Sequence, residues 1–282
     1  MRNLTKRGLA YREYGDPEAS KILLCIPGIL ENQRTFDGLI PFLVQHDDFR
    51  LITVDLCGRG NSDWLSQNQD YKMSLYLKDL TSMISHIHAT HRRKIRNLYL
   101  LGTSMGGILG MHLSSNKQLR IKGLILNDVA LTISWKSIYK LYSKLDSKSA
   151  KTKVGALSRS KNIDPKLLSD IQLPSHLDLD YRFNLRGIHF HRLVSNFHNP
   201  MLLFRGENSE ICTLLDQIEF KQYATQGQCL EVSAEAHPVG YKPEVLRTIA
   251  NFLKLEKTSL NLCDFDSEAD YGDLGNFKKL AV

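Results

Sequence analysis

A serine between glycines is the feature of this 282-residue chain with the clearest chemical potential. The string Gly102-Thr103-Ser104-Met105-Gly106 follows an apolar, strand-like run, and an apolar helix-like segment follows it. Small residues on both sides allow a sharp turn that exposes Ser104 at the carboxyl end of the strand. The Met105 N–H, at the start of the helix, then points at any oxyanion formed there. An ordinary glycine-packed turn is the alternative, but the context favours a nucleophilic serine.

A serine hydroxyl needs a base to take its proton, and His237 has the position expected of one. It is the one histidine among ten that lies in the loop between the last strand-like run, 228–232, and the last helical segment. We therefore predict that His237 is the base for Ser104. Other histidines lie in or beside a long insertion and are expected to line or cover a pocket: His189, His191 and His198.

The acid that orients the base has three candidates. Glu210 lies in the loop after the strand-like run 201–204, where a carboxylate can reach the histidine, and it is the preferred choice. Glu207 lies three residues earlier in the same loop. Asp128 ends the strand that follows the serine's helix, so its position is also compatible with the role.

A second donor for the oxyanion is expected from an early loop. The residues after the strand-like run 21–26 are Pro27-Gly28-Ile29, and Gly28 allows the backbone to come close to the reacting atoms. We predict that the Ile29 N–H joins the Met105 N–H in the oxyanion hole. A plain Pro-Gly turn is the alternative.

Short apolar runs alternating with helical segments must position these residues. The runs are followed by amphipathic stretches such as 71–88 and 244–255. This alternation predicts an α/β fold with a mostly parallel, doubly wound sheet covered by helices on both faces. The segment 9–14 is predicted to be an antiparallel edge strand. The strand-like runs are 21–26, 50–54, 97–101, 122–126, 201–204 and 228–232.

The alternation stops at two places, which divides the chain into three parts. Residues 131–199 contain helix formers, lysines and serines but no strand-like run, and they predict a helical cap inserted into a core of 1–130 and 200–257. Residues 258–282 lose periodicity and carry five acids between 264 and 273, so they predict an acidic C-terminal tail outside the core.

Composition excludes several classes of protein. The net charge is +7, but the excess lies in the insertion and is opposed by the acidic tail, and no nucleic-acid-binding motif accompanies it. The longest apolar stretch, 22–30, is far shorter than the ~20 residues that a transmembrane helix needs. Five scattered cysteines without a C-x-x-C pair indicate free thiols, no zinc site and a reducing, cytoplasmic environment. The basic N-terminus lacks the apolar run of a secretory signal.

On these residues the chain resembles the α/β-hydrolase superfamily, and within it the serine esterases and lipases with a helical cap. The stretch from Asp55 to Ser62 is similar to the family's D-x-x-G-x-G-x-S motif, and residues 206–210 are similar to its acid loop. Two departures are Pro27, where the family commonly has histidine, and Glu210, where it usually has aspartate. The resemblance implies an activated serine. It also excludes the enzymes of this fold that have a nucleophilic aspartate at the position of Ser104.

The combined expectation is a serine hydrolase that cleaves a carboxylic ester through an acyl-enzyme on Ser104, without metal or organic cofactor. A carbon–carbon bond hydrolase of diketone-like acids, an acyltransferase and a non-catalytic binding protein are the alternatives. The expected partner is a small-molecule ester, and the basic face of the cap is compatible with an anionic or lipid-like substrate and with peripheral membrane contact. The acid's identity, the acyl length and the oligomeric state are left open.

Overall fold

The computed structural model describes residues 7–66, 69–90, 97–146, 162–171, 174–179, 182–255 and 275–282. An eight-stranded sheet forms its centre, with the strand order β10-β9-β5-β4-β2-β3-β1-β11. β1 is antiparallel to both of its neighbours, β3 and β11, and the other pairs are parallel. These strands are β1 (Gly8–Gly15), β2 (Lys21–Ile26), β3 (Phe49–Val54), β4 (Asn97–Thr103), β5 (Ile121–Asn127), β9 (Met201–Gly206), β10 (Gly227–Val232) and β11 (Asn276–Ala281).

The helices cover both faces of the sheet, as the alternating pattern predicts. The helices are α1 (Ile40–Leu43), α2 (Met73–Thr90), α3 (Met105–Ser115), α4 (Trp135–Asp146), α5 (Pro165–Asp170), α6 (His191–Ser195), α7 (Leu214–Tyr223) and α8 (Pro243–Phe252). One apolar core contains the buried faces of α2 and α3, and a second contains those of α1 and α8. Strands between two such cores bury both of their faces, which explains why β2 is apolar from Ile22 to Ile26 rather than alternating.

The parallel strands carry the site at a single edge. In a parallel sheet the carboxyl ends of all strands meet on one side, and ligand sites form in the loops there. The ends of β2, β4, β5, β9 and β10 are followed by the segments that contain all of the predicted site residues. The fold therefore gathers Ser104, His237 and the three candidate acids on the same side of the molecule.

The inserted region contains a small sheet as well as helices. Three short strands, β6 (Thr132–Ser134), β7 (Arg182–Phe183) and β8 (Gly187–His189), form an antiparallel sheet in the order β6-β8-β7. The prediction that 131–199 has no strand is therefore wrong. Strands of two or three residues are too short to show a period in the sequence.

The end of the chain belongs to the main sheet. β11 pairs along the whole of its length with β1, from Glu13 opposite Asn276 to Gly8 opposite Ala281. The prediction of a tail outside the core is therefore wrong for these residues, and β1 is an inner strand instead of an edge. The acidic stretch 264–273 lies outside the described residues.

Two further observations concern the cysteines and the helices. Cys25, Cys57, Cys212 and Cys229 are free thiols, as predicted, whereas Cys263 lies outside the described residues. None of the helices in the described part of the chain is long and apolar enough to cross a membrane.

Candidate active site

Ser104 lies on a strained turn between β4 and α3. Its φ is +51° and its ψ is −119°, a combination that is rare for a residue with a side chain. The turn is held because the Ser104 N–H donates to Asn127 O and the Ser104 carbonyl accepts from the Gly107 N–H at 2.9 Å. The half-buried side chain therefore stands at the carboxyl end of β4, as the sequence predicts for a nucleophile.

The glycines after Ser104 permit a close approach between α3 and the β2 loop. A Cβ on Gly106 would lie 2.0 Å from Ile26 O and 2.7 Å from Pro27 O, so only glycine fits there. This contact brings the first turn of α3, including Met105, against the loop that carries Gly28 and Ile29. The N–H groups in the first turn of a helix have no intrahelical acceptor and are free to face a ligand.

The loop after β2 has the close contact expected of an oxyanion loop. A Cβ added to Gly28 would lie 3.3 Å from the Ser104 Cβ, which shows how near the loop backbone is to the serine. The Gly28 N–H is already used, because it donates to the Glu31 carboxylate at 2.7 Å. Of the two adjacent backbone donors, this leaves the Ile29 N–H as the better candidate for the oxyanion.

A buried arginine from the Asp55–Ser62 motif fixes this loop. Arg59 is fully buried, and its Nε donates to Ile29 O at 2.8 Å while its Nη1 donates to Cys57 O at 2.9 Å. Its guanidinium lies 4.9 Å from the centre of the Tyr76 ring, a cation–π arrangement. Arg59 thus connects the Asp55–Ser62 motif to the loop that carries the Ile29 N–H.

Asp128, and not Glu210, contacts the predicted base. The His237 Nδ1 lies 2.8 Å from Asp128 Oδ2, and the Asp128 side chain is completely buried. Asp128 follows β5, the strand next to that of Ser104, and its own φ is +57°. The tight turn at this position directs the carboxylate toward the loop after β10.

The preference for Glu210 as the orienting acid is therefore corrected. Glu210 forms an ion pair with Lys140 of α4 at 2.9 Å, and its side chain is 76% exposed. Glu207, the third candidate, accepts a hydrogen bond from the Ala234 N–H at 2.9 Å and so braces the loop before His237. The resemblance to the acid loop holds for the position of the loop after β9, but its carboxylates point elsewhere.

Two side chains that the sequence analysis did not single out hold this pair in place. Ser209 donates to Asp128 Oδ2 at 2.5 Å and accepts the N–H groups of Ile211 and Cys212. Asn127 exchanges two hydrogen bonds with the backbone of Val239, two residues beyond His237. In the sequence, the only indication of a role for Ser209 and Asn127 is that each directly precedes a candidate acid.

Electrostatics around Asp128 keep the neighbouring thiol neutral. Burial raises the pKa of the Cys212 thiol, and the negative charge of Asp128 raises it further. Glu235, in the loop of His237, has a lowered pKa because Lys242 donates to its carboxylate at 2.7 Å. The His237 loop is therefore closed by an ion pair on its outer side. Among the described residues, no cluster of three or more histidine, cysteine or acidic side chains forms a candidate metal site.

The strand order, the strained serine turn and the buried aspartate against the histidine define this chain as an α/β-hydrolase. Solved structures agree on the fold. The α/β-hydrolase from Novosphingobium aromaticivorans matches with a TM-score of 0.67 and 22% identity, over 87% of this chain and 93% of that one. The enol-lactonase from Burkholderia xenovorans matches with a TM-score of 0.68 and 16% identity, over 88% and 97%.

A family model narrows the class further. The model for the family described as serine aminopeptidase, S33, matches residues 17–176, and the chain belongs to this family. Among curated proteins, the 3-hydroxybutyrate-oligomer hydrolase of Cupriavidus necator is 33% identical over 121 residues, which are 43% of this chain and 39% of that protein. The chain spans less than half the length of the curated relatives it matches.

Proposed function

We propose that the protein is a serine hydrolase that cleaves carboxylic esters through an acyl-enzyme on Ser104. The observation that supports this most is the hydrogen bond between Asp128 and His237 at the same sheet edge as Ser104. Base catalysis needs a buried carboxylate that holds a partly exposed histidine, as Asp128 holds His237, whereas simple binding of a ligand does not need this pair. The Asp128–His237 pair therefore favours an enzyme over a binding protein of the same fold.

The hydrogen bond between His237 and Asp128 supports one set of proton positions for this mechanism. The neutral His237 donates its Nδ1 proton to Asp128, so its Nε2 is left as the acceptor for the Ser104 hydroxyl proton. Ser104 Oγ attacks the ester carbonyl, and the proton passes to Nε2. The imidazolium is then stabilised by Asp128 and gives the proton to the leaving alcohol. In the second half, the same nitrogen takes a proton from a water molecule that attacks the acyl carbon, and this proton passes to Ser104 Oγ as the carboxylic acid leaves.

Backbone donors stabilise the tetrahedral intermediate. The N–H groups of Met105 and Ile29 flank the position next to Ser104 where the negative oxygen forms, each contributing on the order of 3 kcal/mol to the transition state. Arg59 acts on the second donor indirectly, because it holds the Ile29 carbonyl and thereby the loop conformation.

Esters are the substrate class that the relatives favour. One curated relative hydrolyses 3-hydroxybutyrate oligomers, and one solved neighbour is an enol-lactonase. An oligomer of a hydroxy acid and a lactone both contain the carboxylic ester group. The acyl carbon of an ester is attacked more easily than that of an amide, so ester turnover is also the more sensitive assay.

The test is covalent labelling of the serine. The wild type, the Ser104→Ala variant and a matched Ser114→Ala variant are incubated with a fluorophosphonate, and intact mass is measured. We expect one adduct on the wild type and on Ser114→Ala, and none on Ser104→Ala. The same proteins are then assayed with p-nitrophenyl esters of graded acyl length and with the p-nitroanilide of the best acyl group. Absence of an adduct on folded wild type, or an adduct on Ser104→Ala, would overturn the proposal.

A further inference from the structure

We propose that one side of the molecule, next to the active site, binds an anionic lipid surface. This lipid face consists of the exposed apolar side chains of α4, of the β7–β8 turn and of α7: Trp135, Tyr139, Leu185, Leu214, Leu215 and Ile218. Binding to such a surface does not require the proposed ester chemistry.

The α7 part of the lipid face is an exposed apolar surface on a helix whose other side is buried. Leu214, Leu215 and Ile218 are 56%, 76% and 57% exposed, and their spacing places them on one side of the helix. Gln217 and Phe220 are buried on the other side. A water-facing helix surface normally carries polar residues, and a contiguous apolar patch indicates a binding surface.

The α4 part of the lipid face adjoins the β7–β8 turn. Trp135 and Tyr139 are 42% and 73% exposed on successive turns of α4. The Trp135 indole donates to Asn184 O at 2.8 Å and its backbone N–H donates to Arg186 O. Leu185 is fully exposed between these two acceptors. The indole is therefore held beside a protruding leucine at the tip of a turn.

An ion pair joins the two parts and places them beside the catalytic pair. Lys140 of α4 pairs with Glu210, four residues before Leu214. Glu210 is adjacent to Ser209, whose hydroxyl donates to Asp128. The lipid face therefore adjoins the loop that braces the active-site acid.

The charges on this face favour an anionic lipid over a neutral one. Lys136, Lys140 and Arg186 are exposed beside the aromatic residues, and the chain has a net charge of +7. Glu210 balances the charge of Lys140, and Asp216 stays charged in the capping box of Thr213, so Lys136 and Arg186 supply the positive charge that attracts an anionic surface. Tryptophan, tyrosine and basic side chains around an apolar surface are typical of proteins that lie in the headgroup region of a bilayer.

Vesicle flotation tests the proposal. The wild type is mixed at low salt with two kinds of vesicle. One consists of phosphatidylcholine alone, and in the other a quarter of the lipid is phosphatidylglycerol. We expect the wild type to float with the anionic vesicles and to be released at high salt. The Leu214→Ser/Leu215→Ser double variant should lose about tenfold in partitioning, because its apolar contribution is removed. Lys136→Glu should show a similar loss on anionic vesicles only.

Matched controls separate this inference from others. Trp64→Ser removes an apolar side chain of comparable exposure, 47%, outside the lipid face and should float like the wild type. Ser104→Ala should also float like the wild type, while it loses fluorophosphonate labelling, so the two proposals fail independently. All variants should keep their thermal midpoint.

Two results would overturn the proposal. One is equal partitioning of the double variant and the Trp64→Ser control. The other is absence of wild-type flotation with the anionic vesicles; a concentration-dependent dimer, measured by sedimentation velocity and abolished in the double variant, would then explain the exposed face. Such a dimer would assign the same face to contact between copies of the chain.

Discussion

His237 Nδ1 and Asp128 Oδ2 lie 2.8 Å apart, although 109 positions separate the two residues in the sequence. The Asp128 carboxylate also accepts the Gly206 N–H and the Ser209 hydroxyl, so its two oxygens are held by three donors. A buried charge with this many donors is fixed in position and satisfied. The pair is thus a rigid unit built from the loops after β5, β9 and β10.

The first prediction concerns the choice of acid. Asp128→Asn should lower kcat by about 10³–10⁴-fold, because the amide stabilises neither the required tautomer nor the imidazolium. Glu210→Gln should change kcat by less than about threefold, since Glu210 is exposed and paired with Lys140. The measurement is hydrolysis of the best p-nitrophenyl ester at saturating concentration. Equal losses in the two variants would contradict the assignment.

The second prediction concerns Ser209 as a positioning residue. Ser209→Ala removes one donor from the buried Asp128 carboxylate, and we expect kcat to fall about tenfold with KM unchanged. The free energy of unfolding should fall by about 1–3 kcal/mol, measured by urea denaturation.

Restoration of the hydroxyl distinguishes positioning from general destabilisation. Ser209→Thr supplies the same donor and should recover most of kcat, whereas Ser209→Cys should not. If kcat in Ser209→Ala stayed at the wild-type value at a temperature where the variant is fully folded, Ser209 would have only a structural role.

Much of the fold is predictable from the sequence because most strands of the main sheet are apolar runs and the long helices have an apolar side. β2, β4 and β9 begin at the predicted residues and are buried as expected. The position of Ser104 is equally local, since adjacent glycines and the flanking elements determine the turn. These features depend on contacts within about 20 residues of chain, where pattern and structure agree.

The acid and the last strand depend on contacts that no local pattern records. Three carboxylates follow strands at the same sheet edge, and the one that reaches His237 is decided by the turn at Asp128, with φ +57°. β11 is a lysine-containing segment after an acidic stretch, and it becomes a strand because β1 offers an open edge. Such pairings are set by tertiary context.

The third prediction concerns β11. Deletion of residues 275–282 exposes the hydrogen-bonding edge of β1 and should lower the free energy of unfolding by about 2–4 kcal/mol, with increased aggregation. Two ion pairs that β11 makes with other parts of the fold, Lys278–Glu13 and Lys279–Asp63, are lost as well. Thermal unfolding with light scattering measures both effects.

A matched variant separates the strand from its charges. Lys278→Gln/Lys279→Gln keeps β11 and removes the two ion pairs, whose lysines are exposed, so its stability should change by less than about 1 kcal/mol. A deletion no more destabilising than this double variant would show that β11 adds nothing to the sheet beyond its charges.

The fourth prediction is a loss of stability in weak acid to which His176 contributes, together with His112, whose pKa burial also lowers to about 4. The His176 side chain is buried in the inserted region, and burial lowers its pKa from 6.5 to about 4, with a further contribution from Arg59. Between these two values the unfolded chain binds a proton that the folded chain does not. Stability is therefore complete above pH 6.5 and falls as the pH decreases toward 4, by an amount on the order of 3 kcal/mol for this group.

Substitution of His176 by asparagine tests whether this side chain contributes to the loss of stability in weak acid. His176 Nδ1 lies 3.2 Å from Tyr71 O, and the asparagine amide can make the same bond without titrating. Urea unfolding of the wild type and of His176→Asn at pH 7 and pH 5 should show a smaller loss of stability in the variant. His198→Asn, on an exposed histidine, is the control and should keep the wild-type slope. The same slope in all three proteins would place the acid sensitivity in other groups.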